Sequence, residues 1–333
     1  MLPNVRPATA SEIPVVDLKF FSFSDSEKVD IVELIGKTAR DAGFFYIVNH
    51  GIDPEAIDGI FETAKQFFDL PMDAKEEVSL KKSGYNFHGY LPSFHKGNDT
   101  KLKENLQEAF QAHLELPADD PIVVAGTPLY GPNLWPTEMP ELRDRMIAYQ
   151  DKLRVLGDRL IHLFSLALGL PEDALDKYFK TPTSLLRLLH YPPQKPDDSP
   201  ERIGTRAHTD TGGITILSQD EVGGLEVMLK TGEWVSVPPR KYSYVINLGE
   251  VMSMWSDGVF AATPHRVINR YGAERYSVPY FVNPEYHASF EPKVKNVGAR
   301  DDKFDALISN KGHMCYGDWI MEVYTRIYND PKS

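Results

Sequence analysis

The chain has 333 residues, 42% of them hydrophobic and 25% charged, the balance of a folded globular protein. Its 36 basic and 48 acidic residues leave a net charge of −12, which disfavours nonspecific binding to nucleic acid or to an anionic membrane. The single cysteine, Cys315, rules out an intrachain disulfide and reads as a buried or half-buried free thiol with no base beside it.

The first residues, MLPNVRPATASEIPVVDL, contain no continuous apolar stretch, so no signal peptide is expected. No run of 18 apolar residues occurs, so no membrane span is expected either, and the cytoplasm is the expected compartment. Residues 13–18 read as an opening strand. Residues 26–42 carry Val29, Val32, Leu34, Ile35 and Ala39 at helical spacing, with Gly43 placed to end that helix. A strand over 44–48, a turn at His50-Gly51 and a helix over 54–69 follow, the helix stopping before Leu70-Pro71. Residues 81–100 are loop-rich, and 138–170 predict two helices.

Near residue 180 the texture changes from helical periods to short strands punctuated by Gly, Pro and Asp. Strands are predicted over 184–191, 214–219, 225–229, 234–237, 244–248, 265–269 and 276–282. A last helix is predicted over about 318–328, with Asp318 as its N-cap. The fold class is therefore α+β. A jelly-roll core over 181–317 is flanked by a helix-rich region with short strands over 1–180 and by a C-terminal helix over 318–333.

Chemistry concentrates in the second half. In a strand, residues i and i+2 share a face, so His208 and Asp210 can aim at one point while Thr209 faces away. A jelly roll brings distant strands together, which lets His265 supply a third ligand. Two imidazoles and one carboxylate suit a ferrous ion with an open face, and they also suit hydrolytic zinc; His-x-Asp alone arises by chance. Arg275 and Ser277 again share a face, and their apolar flank (residues 278–282) points to burial. A buried arginine needs an anion, and a zinc hydrolase has no need of this pair. On the strand over 184–191, Leu185, Arg187, Leu189 and Tyr191 fall on one face. If Tyr191 points inward, Arg187 is a second internal cation for a substrate carboxylate or phenolate; the other reading turns it to a helix or to solvent.

The N-terminal text Ile13-Pro14-Val15-Val16-Asp17-Leu18, Gly43-Phe44-Phe45-Tyr46-Ile47-Val48-Asn49-His50-Gly51-Ile52 and Phe67-Phe68-Asp69-Leu70-Pro71 resembles a known family. So do Asn133-Leu134-Trp135-Pro136, His208-Thr209-Asp210-Thr211-Gly212, Gly223-Gly224-Leu225-Glu226-Val227, Asn247-Leu248-Gly249 and Thr263-Pro264-His265-Arg266-Val267. Across nearly its whole length the chain is similar to the Fe(II)/2-oxoglutarate-dependent dioxygenases of the isopenicillin N synthase-like family. The resemblance implies a double-stranded β-helix core with Fe(II) on His208, Asp210 and His265. It implies 2-oxoglutarate chelating the iron through its 1-carboxylate and 2-oxo oxygens, with its 5-carboxylate on Arg275, Ser277 and Tyr191. It further implies an oxidoreductase that uses O2, releases succinate and CO2, and oxidises a small organic metabolite, by hydroxylation in secondary metabolism. Other outcomes are a same-fold oxidase that closes rings or desaturates without 2-oxoglutarate, and a non-catalytic small-molecule-binding module.

Three departures stand out: Glu250 where the family often has Asp, Ala262 where it often has Ser, and Leu189-His190 where it often has Asn-Tyr. Expected pocket walls are Tyr85, Phe87, His88, Tyr90, Phe94, Phe110, Arg187, Leu189 and Phe281, which suit a small aromatic or alicyclic molecule. A monomer or weak dimer is expected, with a small-molecule substrate and neither nucleic acid nor membrane as partner.

Overall fold

The computed structural model describes residues 5–92, 105–193, 203–269, 272–295 and 314–328. The early elements follow the hydrophobic spacing. Strand β1 (Val15–Asp17) leads to helix α1 (Asp25–Asp41), whose N-terminus is closed by a capping box between Ser24 and Glu27 and which buries Ile31, Ile35 and Ala39. Gly43 then reverses the chain at φ +65° into β2 (Phe44–Val48); a Cβ there would lie 2.3 Å from the Ala261 carbonyl oxygen. Helix α2 (Pro54–Phe68) opens on proline in its first turn, and a short α3 (Met72–Glu77) follows.

Next come β3 (Gly89–Leu91), β4 (Glu108–His113) and a one-turn α4 (Pro121–Val124). The two helices predicted over 138–170 are one continuous helix, α5 (Glu141–Ala167). Gly157, in its second half, is a point of contact and not a break. A Cβ there would come within 3.0 Å of Val282 Cγ2, so the missing side chain lets the helix lie close to the sheet.

The second half comprises β5 (Leu185–Tyr191), β6 (Thr205–His208), β7 (Ile214–Gln219), β8 (Leu225–Met228), β9 (Trp234–Ser236), β10 (Tyr244–Leu248), helix α6 (Glu250–Trp255), β11 (His265–Val267) and β12 (Arg275–Val282). Helix α7 (Tyr316–Tyr328) starts before Asp318, which lies in its first turn and is not its cap. Cys315, just ahead of it, is half-buried.

Among the described residues the strands form two sheets, in the orders β1-β2-β10-β7-β12-β5-β4-β3 and β6-β11-β8-β9. From β5 to β12 the chain passes repeatedly between them, so β10-β7-β12-β5 and β6-β11-β8-β9 make the two halves of a double-stranded β-helix, or jelly roll. The N-terminal strands extend the larger half at both edges: β2 pairs with β10 and β4 with β5. Helix α5 packs on α1, α2 and the outer face of β12. Its Phe164 ring lies 6.2 Å from that of Phe45 on β2, one link in a core that runs from Ile13 to Ile320. No helix among the described residues is long and apolar enough to cross a membrane.

Candidate metal centre and cavity

His208 ends β6 and His265 begins β11, and the two are direct antiparallel partners. Cross-strand neighbours stand close, and here the imidazole centroids are 4.3 Å apart. Asp210, just beyond the end of β6, turns back towards both. Its Oδ1 lies 3.5 Å from His208 Nε2 and 3.6 Å from His265 Nε2. All three ligand atoms lie within 4.8 Å of one another.

The surroundings leave these atoms available. His208 Nδ1 pairs with the Arg206 carbonyl at 2.8 Å and His265 Nδ1 with the Thr263 carbonyl at 3.2 Å, so each Nε2 faces the centre. Asp210 Oδ2 accepts from the Thr215 hydroxyl and, at 2.7 Å, from the Asn247 amide, which leaves Oδ1 free to ligate. The loop is also tied through its backbone. The Glu250 amide donates to the Asp210 carbonyl at 2.8 Å, and Gly249 sits so close that a Cβ would lie 2.2 Å from the Gly212 oxygen. Glu250, the departure from Asp, accepts from Thr209 at 2.7 Å and does not reach the ligand atoms.

Electrostatics match this arrangement. Burial alone would raise the Asp210 carboxyl, but the neighbouring His265 and His208 hold it far below the ordinary carboxylate range. Burial, with the charge of His208, pushes His265 down to about 4, which keeps its imidazole neutral. Burial also opposes the charge on His208, but the Asp210 carboxylate outweighs it and raises its pKa. Two imidazole nitrogens and a carboxylate oxygen converging in this way fit a divalent transition metal.

The second cluster lies along β12. Arg275 is fully buried at 0% exposure, and among the described residues no carboxylate lies within ion-pair distance of it, although its charge reaches the Asp220 carboxyl. It donates to Ser277 Oγ at 3.1 Å and to Gln219 Oε1 at 3.3 Å, and its Nε has no partner. Its guanidinium stacks over the Tyr191 ring, 4.6 Å from the centroid, and the two residues are backbone partners between β12 and β5. A desolvated cation hydrogen-bonded to neutral groups is a place for an anion, so the fit to a carboxylate is good. The Tyr191 hydroxyl lies 3.3 Å from Thr205 Oγ1, which donates to Gln107 Oε1 at 2.8 Å. Thr205 and Gln107 line a cavity of about 810 Å³ that also exposes His208 and Asp210. The anchor thus lies one layer behind the cavity wall.

Of the expected wall residues, Arg187 and Phe281 line this cavity. Tyr85 is 69% exposed on the surface. Phe87 is buried behind Tyr324 and Tyr328, and His88 is buried beside it. Phe110 packs into the core against Phe67 and Trp135, Tyr90 donates to Glu108, and Leu189 is buried off the cavity. The aromatic density of this region suggests a wall, but Phe87, Tyr90 and Phe110 instead fill the space between α2, β3 and α7. Phe94 lies outside the described residues. His190 turns to the opposite face of β5, where Nδ1 contacts Glu108 at 2.8 Å and the ring stacks on Tyr276. Its departure from the family text therefore leaves the pocket untouched. A whole wall is absent from the sequence expectations: Trp319, Val323, Tyr324, Ile327 and Tyr328 of α7 close the cavity. The only signal for it is the hydrophobic spacing of the last helix.

Comparison with known proteins gives the following. The sequence profile of the 2OG-Fe(II) oxygenase superfamily matches residues 182–284, and that of the "non-haem dioxygenase in morphine synthesis N-terminal" region matches residues 13–138. The 2-oxoglutarate-dependent dioxygenase tropC of Talaromyces stipitatus is 36% identical, covering 84% of this chain and 89% of its own. The 2-oxoglutarate-dependent dioxygenase citB of Monascus ruber is 33% identical over 89% of this chain and 91% of its own. Among solved structures, a full-length Neurospora crassa protein in complex with alpha-KG superposes with a TM-score of 0.78 at 26% identity, covering 93% of this chain and 95% of that one.

Proposed function

Because the chain belongs to the 2OG-Fe(II) oxygenase superfamily, we propose that His208, Asp210 and His265 hold its ferrous ion and that Arg275, Ser277 and Tyr191 hold the far carboxylate of 2-oxoglutarate. The protein is an Fe(II)- and 2-oxoglutarate-dependent oxygenase acting with O2. When bound, iron and cosubstrate supply the oxidising power by coupling decarboxylation of 2-oxoglutarate to succinate and CO2 with oxidation of a substrate C–H bond.

The chain's own residues bind, orient and shield. Thr215 and Asn247 fix the Asp210 carboxylate so that one oxygen stays turned to the two imidazoles. Arg275 and Ser277 offer a forked set of donors to a carboxylate in a site from which water is excluded. The cavity then accepts a small organic molecule at the open side of the triad, beside His208 and Asp210. Hydroxylation of a small aromatic or alicyclic compound of secondary metabolism is the outcome this setting supports. The protein would work as a monomer or weak dimer in the cytoplasm.

The observation that carries the cosubstrate reading is the fully buried Arg275, whose Nε has no partner and which has no carboxylate within ion-pair distance among the described residues. An oxidase that takes all its electrons from substrate would use such a cation only if its substrate itself supplied the carboxylate. The test is an anaerobic titration with Fe(II) and then 2-oxoglutarate, monitored by visible absorption. A charge-transfer band that saturates with 2-oxoglutarate is expected, and its absence would remove the cosubstrate from the reading. A metabolite screen under ¹⁸O2 then separates hydroxylation, which places label in the product, from desaturation or ring closure, which does not.

A further inference from the structure

Building on the reading of Arg275 as the cosubstrate anchor, we propose that Arg187 recognises the substrate, and that the substrate is an aromatic acid, carrying either a carboxylate or an ionised phenol. Arg187 lies mid-strand in β5 and lines the cavity. Its guanidinium donates one long hydrogen bond of 3.4 Å to the Tyr328 hydroxyl, and its buried Nε has no partner. Among the described residues no carboxylate pairs with it. On neighbouring strands Glu108 is engaged by Lys75 and His190, and Glu226 by Arg266; Glu250 is engaged by Thr209. A partly desolvated arginine without a counter-anion is costly, and a ligand that supplies the anion removes that cost.

The cosubstrate cannot be that ligand while it is seated on Arg275. Arg187 precedes Tyr191, the backbone partner of Arg275, by four residues on the same face, which puts their backbone positions about 13 Å apart along the strand. A dicarboxylate with one carboxylate at the metal and the other on Arg275 has no acidic group left for Arg187. Yet Arg187 is close to the chemistry, because it lines the same cavity as His208, Asp210 and Tyr324. Its surroundings are aromatic. Tyr324 and Tyr328 stand one turn apart on α7 with ring centroids 5.6 Å apart, and Phe281 and Trp319 also line the space. Arg206, Arg326 and Glu322 also line the cavity, but Arg187 is the cation set among flat ring walls, and that setting selects a planar ring with an acidic group.

The test is calorimetry on anaerobic protein saturated with Fe(II) and 2-oxoglutarate, so that the Arg275 site is filled. The probes are matched pairs: 2-naphthoate and 4-hydroxyphenylacetate against their methyl esters, and 4-nitrophenol against 4-nitroanisole at mildly alkaline pH. At least one acid should bind about tenfold or more tighter than its neutral mate, the scale of one charged hydrogen bond. Arg187→Gln should abolish that preference, and Arg187→Lys should keep part of it. The carboxylate and phenolate arms identify which acid is preferred. No binding by any probe, equal binding of acids and neutral mates, or a preference that survives Arg187→Gln would each overturn the proposal. So would a loss of 2-oxoglutarate affinity, in place of acid affinity, in that variant. Should Arg187→Gln fold poorly, the acid-to-ester ratio in Arg187→Lys decides. If no charge-transfer band forms at all, the cosubstrate reading fails, while acid preference measured on the unloaded protein still stands or falls separately.

Discussion

The two oxygens of Asp210 divide their work: Oδ2 is held by Thr215 and Asn247, and Oδ1 faces the histidines. Replacing Asp210 by Ala should abolish iron retention and turnover, read by metal analysis of the purified variant; full iron content with full activity would sink the ligand assignment. Removing a supporting donor is milder. Asn247→Ala should weaken iron affinity roughly 10- to 100-fold and leave the fold intact, the usual cost of losing an outer partner. Arg275→Gln should raise the 2-oxoglutarate concentration needed for half-saturation roughly 10- to 100-fold, since a charge-assisted hydrogen bond in a buried site is lost. An unchanged cosubstrate titration would count against that anchor. At this scale the proposed pairs are legible as sequence patterns: strand alternation puts Arg275 and Ser277 on one face of β12, whereas Asp210 lies past the end of β6 and meets His208 through a turn that alternation does not describe. Thr215, Asn247, Gln219 and Thr205 are not legible, because each reaches its partner across strands whose register no local pattern displays.

Among the elements, β4 is hidden from sequence reasoning for a physical reason. Glu108, Gln111 and His113 interrupt any apolar alternation, yet β4 is covered on both faces and almost wholly buried. Glu108 is accommodated because Lys75, Tyr90 and His190 all donate to it. His113 at the end of β4 and His88 before β3 are buried among apolar neighbours, which pushes His113 down to about 3 and His88 to about 4. Both folded values lie below the roughly 6.5 of an unfolded histidine. Their contribution is therefore complete above that pH and is lost as pH falls from about 6.5 towards 4 and below. The melting temperature should drop through that window, and His113→Phe should flatten the drop; an identical pH profile in the variant would show that other groups set it. Helix α5 offers a second check. Gly157→Leu must displace Val282, and a loss of about 1–3 kcal/mol in urea unfolding is expected, as for other overpacked cores.

Across the whole molecule, the boundary near residue 180 is legible as a change of texture, and the jelly roll is legible from the run of short strands. What the texture hides is that the two halves share one sheet. Strands β2 and β4 from the first half bond to β10 and β5 of the second, and α5 covers β12. A fragment beginning at residue 181 would bare both sheet edges and the apolar outer face of β12. It should express as an aggregating or unfolded chain and regain structure only when residues 1–180 are supplied. A cooperative melt from the fragment alone would show two independent units. The wall contributed by α7 has a different consequence, one for descent. The groups proposed to hold iron and cosubstrate sit on β5, β6, β11, β12 and the loop after β6, while Tyr324, Tyr328 and their neighbours sit on a separate helix that supplies none of those groups. Substitutions on the inner face of α7 can accumulate in a lineage without disturbing the reactive centre. New substrates can therefore be recruited by rewriting one helix while the oxidation chemistry is inherited unchanged.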